Sequence, residues 1–376
     1  MVKHRRKLTE LCDIQYGYAF DSNKFTEDAQ YIPLVRIRDV KRGYSETFFT
    51  GDYPVEYVLH TGDLLVGMDG EFNIARWKSH DALLNQRVCK IVAKDGVDEE
   101  YLRFYLTRAL KEIEARTSFA TVKHLSAKEL NRLELDIPEY SEQEKIAQAL
   151  RSAEKTIDLR KQELQDLDNL IKSRFVEMFG DMNLNPNKWE TTLLGQVCDV
   201  RDGTHDSPKY FTEGYPLVTS KNVTSGKINF TDCSLISEED YNKINERSKV
   251  DFGDILMPMI GTVGKPVIVD VDAEFAIKNV ALIKFYEDSK VTNILVKALL
   301  QSDYFDRVVL SKLRGGTQKF ISLGDIRRLE ICLPPMEVQK QFATFMAQVD
   351  KLKFEVQKSL DETQTLMDSL MQQYFG

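Results

Sequence analysis

Apolar and polar residues follow two rhythms along this chain. From Ser141 to Phe179 there is no proline, and apolar positions recur three and four apart, the spacing of a coiled-coil seam. Ile146, Leu150, Ala153, Ile157, Leu164, Leu167, Ile171 and Met178 occupy that seam, interrupted only by Arg160 and Arg174. The rhythm returns near the end of the chain with Phe342, Met346, Val349, Val356, Leu360, Met367, Leu370 and Tyr374, interrupted by Lys353 and Thr363. Each run follows a proline, Pro138 or Pro334-Pro335, which stops the strand before it. Ser141 with Glu144 has the spacing of a capping box, which the second run lacks. Elsewhere short apolar runs bounded by Gly, Asp and Pro predict strands at Ile32–Ile37, Asp63–Gly67 and Arg87–Val92, and again at Pro216–Ser220, Asp254–Met257, Pro266–Asp270 and Val280–Phe285. Helical spacing predicts Glu99–Ala115 and Thr292–Leu313. Short helices at Ala127–Arg132 and Leu323–Arg328 each precede a last strand that ends at Pro138 or Pro334.

The two rhythms belong to one duplicated unit. Residues 121–180 align without a gap on 317–376, with fifteen identities in sixty positions, where chance gives about four. Arg132-Leu133-Glu134 answers Arg328-Leu329-Glu330, Gln143 answers Gln339, and both copies end on Phe-Gly. The earlier parts match more loosely, GDLLVGMDG (62–70) answering GDILMPMIG (253–261). The expected organisation is a first domain over 1–140, a spacer helix over 141–180, a second domain over 181–335 and a second spacer helix over 336–376. A helix of this length is about 57 Å long. The linker NLNPNK (183–188) reaches only about 20 Å, so the helices are expected to pair antiparallel. The fold class is then α+β: two similar domains alternating with two long helices in an antiparallel coiled coil, related by a pseudo-twofold axis within one chain.

Composition narrows the function. A chain of 376 residues, 42% hydrophobic and 29% charged, can bury two cores and is not disordered. No stretch is long and apolar enough for a membrane helix, and the basic start, Lys3 to Lys7, runs into no apolar segment. The five cysteines lie far apart with no metal-ligand spacing, as expected of reduced thiols in a cytoplasmic protein. Catalytic motifs are missing. GTVGKP (261–266) is too short between its glycines for a phosphate-binding loop, no Asn-Pro-Pro-Tyr or Asp-Pro-Pro-Tyr appears, and no Glu-x-Lys occurs. The five histidines are scattered, and Asp69, Glu71 and Asp81 read as turn or surface carboxylates. No enzyme activity and no metal is expected. The net charge of −8 weighs against a passive nucleic-acid binder, so any anion-binding surface must come from local clusters of Lys and Arg.

Taken together, LTELCDIQYGYAF with LGQVCDVRDGTHD, IPLVRIRDV with YPLVTSKNV, LLNQRVCKI with AIKNVALIKF, TVKHLS with TQKFIS, and the DIPEYSEQEKIA and CLPPMEVQKQFA junctions resemble the specificity subunit of type I restriction-modification enzymes. The resemblance covers essentially the whole chain. It implies a non-catalytic subunit whose two target-recognition domains each read one half of an asymmetric bipartite site in double-stranded DNA, with the helices setting the spacing. It implies as partners two methyltransferase subunits and, in the full complex, restriction and translocase subunits. S-adenosylmethionine, ATP and Mg would then belong to those partners, with no cofactor in this chain. Loop residues between matched framework positions are the expected DNA contacts: Arg36, Arg38, Lys41, Arg42, Arg76, Lys123 and His124 in the first domain, and Ser220, Lys221, Asn222, Lys227, Arg314, Thr317, Gln318 and Lys319 in the second. Tyr16, Tyr18 and Phe20 read as a satellite core. The alternative from another class is a coiled-coil scaffold whose end domains bind proteins and not DNA.

Overall fold

Strand Val88–Ala93 is the centre of the first domain's main sheet. It pairs antiparallel with Cys12–Tyr16 on one side and Leu64–Gly67 on the other, and Leu64–Gly67 pairs in turn with Asn73–Arg76. The computed structural model describes residues 3–116, 123–223, 226–259, 265–312 and 320–376. These fall into two units, Met1–Lys161 with Lys358–Gly376, and Gln162–Gln357.

In the first unit both faces of the main sheet are covered, which is why LLVG reads as an unbroken apolar run and not an alternation. Leu64 and Val66 face the helix Glu99–Arg116 through Tyr101, Leu102 and Leu106, while Leu65 joins Val35, Trp77 and Leu84 on the other side. A smaller sheet there contains the parallel pair Ile32–Val35 with Ala82–Leu84. The terminal strand His4–Lys7 closes the domain against Glu134–Ile137. The second unit repeats this plan. Val280–Phe285 is flanked by Cys198–Asp202 and Ile255–Pro258, Tyr215–Val218 runs parallel to Ala276–Ile277, and Thr191–Leu193 pairs with Glu330–Cys332. Ile255 and Met257 face Leu295 and Leu299, and Leu256 faces Val218 and Ile277.

The long helices span Tyr140–Phe179 and Met336–Phe375. Within the first unit, Ile146, Ala147 and Leu150 pack with Met367, Leu370, Tyr374 and Phe375. Within the second, Phe175 and Phe179 meet Phe342 edge-on. In each unit, therefore, the start of one helix lies on the end of the other, an antiparallel pairing. Ile146, Leu150, Ala153, Ile157, Phe342, Met346, Val349 and Val356 are buried, and Leu164, Leu167, Ile171, Met178, Leu360, Met367, Leu370 and Tyr374 are half-buried. The polar interruptions are accommodated: Arg160 donates to Ser359 Oγ, Lys353 Nζ sits 2.6 Å from Asp168, and Arg174 lies over the Phe345 ring.

One device joins each domain to its helix. Gln143, wholly buried, accepts the Asp98 N–H at 3.0 Å and donates to the Pro138 carbonyl at 2.9 Å. Gln339 does the same with the Thr292 N–H at 2.8 Å and the Pro334 carbonyl at 2.9 Å. Both glutamines thus satisfy backbone groups that water cannot reach.

Four local expectations are corrected. The first long helix begins at Tyr140, its leading N–H groups bonded to the Glu139 carbonyl, so Ser141 lies inside the first turn and forms no capping box. Such boxes close the short helices instead, at Ser126 with Glu129 and Ser322 with Asp325. Ile37 is helical because Asp39 accepts the Arg36 N–H, starting the helix Ile37–Arg42 that Gly43 ends at φ +80°. Ser220 begins a 3₁₀ turn, Ser220–Val223. The expected helix over Thr292–Leu313 divides into Asn293–Leu300 and Asp303–Val308, because Ser302 caps a new start by accepting the Phe305 N–H. Leu313 lies outside the described residues.

Candidate nucleic-acid interface

In both units the edge of the main sheet is closed by the same turn. Gly17 and Gly203 follow the flanking strand so closely on the neighbouring chain that a Cβ would sit 2.0 Å from the Asn85 carbonyl oxygen and 2.1 Å from that of Ile277. Only glycine fits there. Parallel bridges then join Tyr18 to Asn85 and Thr204 to Lys278. The residue just before the central strand is Arg87 in one unit and Asn279 in the other, and both hold left-handed backbone, φ +71° and +54°.

Around Arg87 a polar cluster forms. His124 Nδ1–H is donated to the Asp69 carboxylate, and Arg87 Nη1 donates to the same ring from 3.1 Å, while its Nε lies 3.6 Å from Asp69. The backbone brings these groups together: Asp69 and His124 form an isolated bridge, and the N–H groups of Gly70 and Leu125 close it from either side. Lys41 pairs with Glu71 on the same hairpin, and Lys123 pairs with Glu114, whose carboxyl its hydrogen bond holds below the usual range. Around Asn279 the second unit builds an analogous chain from other positions. His205 Nδ1 lies 2.7 Å from Asn279 Oδ1 and its Nε2 2.8 Å from Asp202, bonds that the protonated ring donates to both, and Asp202 also holds Arg247. The His205 ring is raised above its ordinary value, first by the hydrogen bond to Asn279 and then by Asp202.

The expected contact residues are sorted by this geometry. Arg36 is exposed, and among the described residues its guanidinium has no partner. Arg38 leans on Asp39 and Thr47, and Arg42, the last residue of its helix, pairs with the exposed Glu46 beyond Gly43. Lys221 and Lys227 are exposed, and Ser220 donates to the Asn279 carbonyl. Two of the expected residues are engaged within the fold. Arg76 is spent on Glu99, Glu100 and the Gly62 carbonyl, and Asn222 is buried with its amide accepting from Thr219 and donating to the Asn229 carbonyl. Arg314, Thr317, Gln318 and Lys319 lie outside the described residues. Sequence reasoning missed Arg87, Asn279 and His205 and set Asp69 aside as a turn carboxylate. The available signal was an Arg and an Asn at one framework position, QRV against KNV. Phe20 is buried against Phe49, while Tyr18 stays partly exposed beside it.

Little else in the described residues has reactive chemistry. Burial pushes the Cys12, Cys89 and Cys198 thiols up to about 12, which suppresses the thiolate. No group of three potential ligands could hold a metal among the described residues, and no described helix is long and apolar enough to cross a membrane.

The sequence model of the type I restriction modification DNA specificity domain matches this chain twice, over residues 3–169 and 186–363. The chain belongs to that family. Like other type I specificity subunits it is not the catalytic component of its system, and the family places no cofactor in it. It is 27% identical over 403 aligned residues to the Type I restriction enzyme EcoBI specificity subunit of Escherichia coli, covering 99% of this chain and 85% of the relative. The MjaVIII specificity subunit of Methanocaldococcus jannaschii is 24% identical over 318 residues, covering 79% of this chain and 74% of the relative. Among solved structures, the type I restriction-modification S subunit from M. genitalium superposes with a TM-score of 0.58 at 15% identity, over 98% of this chain and 95% of that one. A chain described under "Structural basis underlying complex assembly and conformational transition of the type I R-M system" gives 0.54 at 19% identity, over 100% and 97%. These likenesses establish the specificity-subunit fold: α+β domains alternating with two long helices.

Proposed function

We propose that this specificity subunit reads an asymmetric bipartite sequence in double-stranded DNA, one half by the domain over 1–140 and the other by the domain over 181–335. The helices over 141–180 and 336–376 set the spacing between half-sites. The observation that carries this reading is the pair of turns built alike in both units but furnished differently, Arg87 beside His124 and Asp69 in one, Asn279 beside His205 and Asp202 in the other. A shared frame with differing polar side chains is what two distinct base-reading tasks require. Exposed cations of each unit, Arg36 and Lys41 in the first and Lys221 and Lys227 in the second, set register on phosphates.

The long helices dock two methyltransferase subunits, which use S-adenosylmethionine, and the assembled complex recruits ATP- and Mg-dependent restriction and translocase subunits. The complex works in the cytoplasm. Docking is supported by apolar side chains that helix pairing leaves exposed, Leu159 and Leu366 in the first unit and Leu352 and Phe354 in the second. The test is modified-base sequencing of DNA from cells expressing the chain with its neighbouring methyltransferase, against the methyltransferase alone. Methylation appearing only with the chain, at a bipartite motif, is the expected result. Co-purification of the two proteins without any new mark would refute DNA reading.

A further inference from the structure

Arg87 and Asn279 occupy one position in the repeated frame. Each directly precedes the central strand, whose first residue pairs with the end of the neighbouring strand, Val88 with Gly67 and Val280 with Pro258. Each also holds left-handed backbone, which L-residues other than glycine adopt rarely and which Arg in particular disfavours. Strain of this kind persists where the surroundings over-determine it, and it clusters at ligand-contacting sites. Both side chains are held from one side only. Arg87 Nη1 lies 3.1 Å from both ring nitrogens of His124, and because Nδ1–H is donated to Asp69 it gives one hydrogen to Nε2, while its other hydrogen and both on Nη2 have no further partner among the described residues. The Arg87 side chain is half exposed. Asn279 Oδ1 uses one lone pair on His205, and its Nδ2 has no partner among the described residues.

The groups left over match two different bases. A guanidinium fork with two parallel N–H donors free fits the O6 and N7 acceptors of guanine. A carboxamide that presents an acceptor lone pair beside an N–H donor fits the N6 amine and N7 of adenine. Neither residue suits the other's base: Arg has no acceptor for the adenine N6 amine, and the carboxamide oxygen of Asn would face an acceptor on guanine, whose O6 and N7 both accept. The Asp–His pair behind each side chain, Asp69 with His124 and Asp202 with His205, removes rotamer freedom before any base arrives.

We propose that Arg87 and Asn279 are equivalent base-reading residues, Arg87 selecting guanine in the half-site of the first domain and Asn279 selecting adenine in that of the second. The assignment rests on the DNA-reading function proposed above and adds the base identities at one position of each half-site.

The experiment compares methylation motifs written in cells by the full chain, Arg87→Asn and Asn279→Gly, each with the same methyltransferase. Both replacements suit left-handed backbone, so the turn is retained. Arg87→Asn is expected to change one G·C pair of one half-site to A·T or to any base, leaving the other half-site intact. Asn279→Gly is expected to make one A·T pair of the other half-site degenerate. If a variant writes no methylation, its purified complex is titrated with duplexes in which each motif pair is altered in turn. Loss of about tenfold or more discrimination at one pair alone supports the assignment, and uniform weakening at all pairs overturns it. Variants that write the wild-type motif unchanged overturn the assignment while leaving the function standing. A wild-type chain that writes no bipartite motif overturns both.

Discussion

Arg87 gives up about 1 kcal/mol or more to hold φ +71°, and its three-way contact with Asp69 and His124 is the local compensation. Asn279 adopts the same conformation more readily, and its brace can be tested by pH. The His205 ring stands above its ordinary value, first through the hydrogen bond to Asn279, then through Asp202, with Arg247 opposing. Its folded pKa therefore exceeds the unfolded one near 6.5. The contribution is complete below about pH 6.5 and is lost as pH rises through the folded value. Because the ring is largely exposed, solvent screening leaves little effect on stability, and the effect is read instead on the amide it orients. Discrimination in the half-site read by the second domain is expected to be sharper at pH 6 than at pH 8 in competition binding, and His205→Gln to abolish that difference. An identical pH response in the variant would remove His205 from this role.

Elements in this chain are closed by buried polar side chains as much as by apolar contact. Replacing Gln143 or Gln339 by Leu leaves the Asp98 or Thr292 N–H and the Pro138 or Pro334 carbonyl without partners inside the domain. Each replacement is expected to destabilise by about 1–3 kcal/mol, read as a lower midpoint in denaturant unfolding of the full chain. A midpoint unchanged from wild type would show that the glutamine is dispensable. The seams, the short capped helices and the last strands were legible because periodicity, caps and prolines act over a few neighbouring residues. The break at Ser302 was not legible. Its flanks, Leu299-Leu300 and Tyr304-Phe305, sustain an apolar spacing that masks a cap formed by a single hydroxyl. Ser141 misled for the opposite reason, since a motif of the right spacing lay one residue inside a helix that starts at Tyr140.

Across the whole molecule, a charge of −8 requires that DNA affinity come from a few cations held in place, because an acidic protein gains nothing from a diffuse field. Lys41, Arg42 and Lys123 are already paired with carboxylates, so phosphate must compete for them, whereas the Arg36 guanidinium has no partner among the described residues. Arg36→Ala is expected to weaken binding to specific and unrelated duplexes alike and to reduce the slope of log affinity against log salt by about one. Loss confined to the specific duplex would make Arg36 a base reader instead.

Duplication, the alternation of domain with long helix and the apolar seams were all determined by the sequence alone, since each is written in contiguous residues at regular spacing. Which side chains meet at the two turns was decided only by tertiary structure. Asp69, Arg87 and His124 are separated along the chain and are joined by a bridge between two loops, while Asp202, His205 and Asn279 meet because Gly203 lets one strand end pass against another. Arg76 and Asn222 carry the right groups for DNA in sequence and spend them inside the fold. A hydrogen-bonding group is available to a base only if its own protein leaves it unpaired, and that depends on contacts between distant segments which no local pattern records.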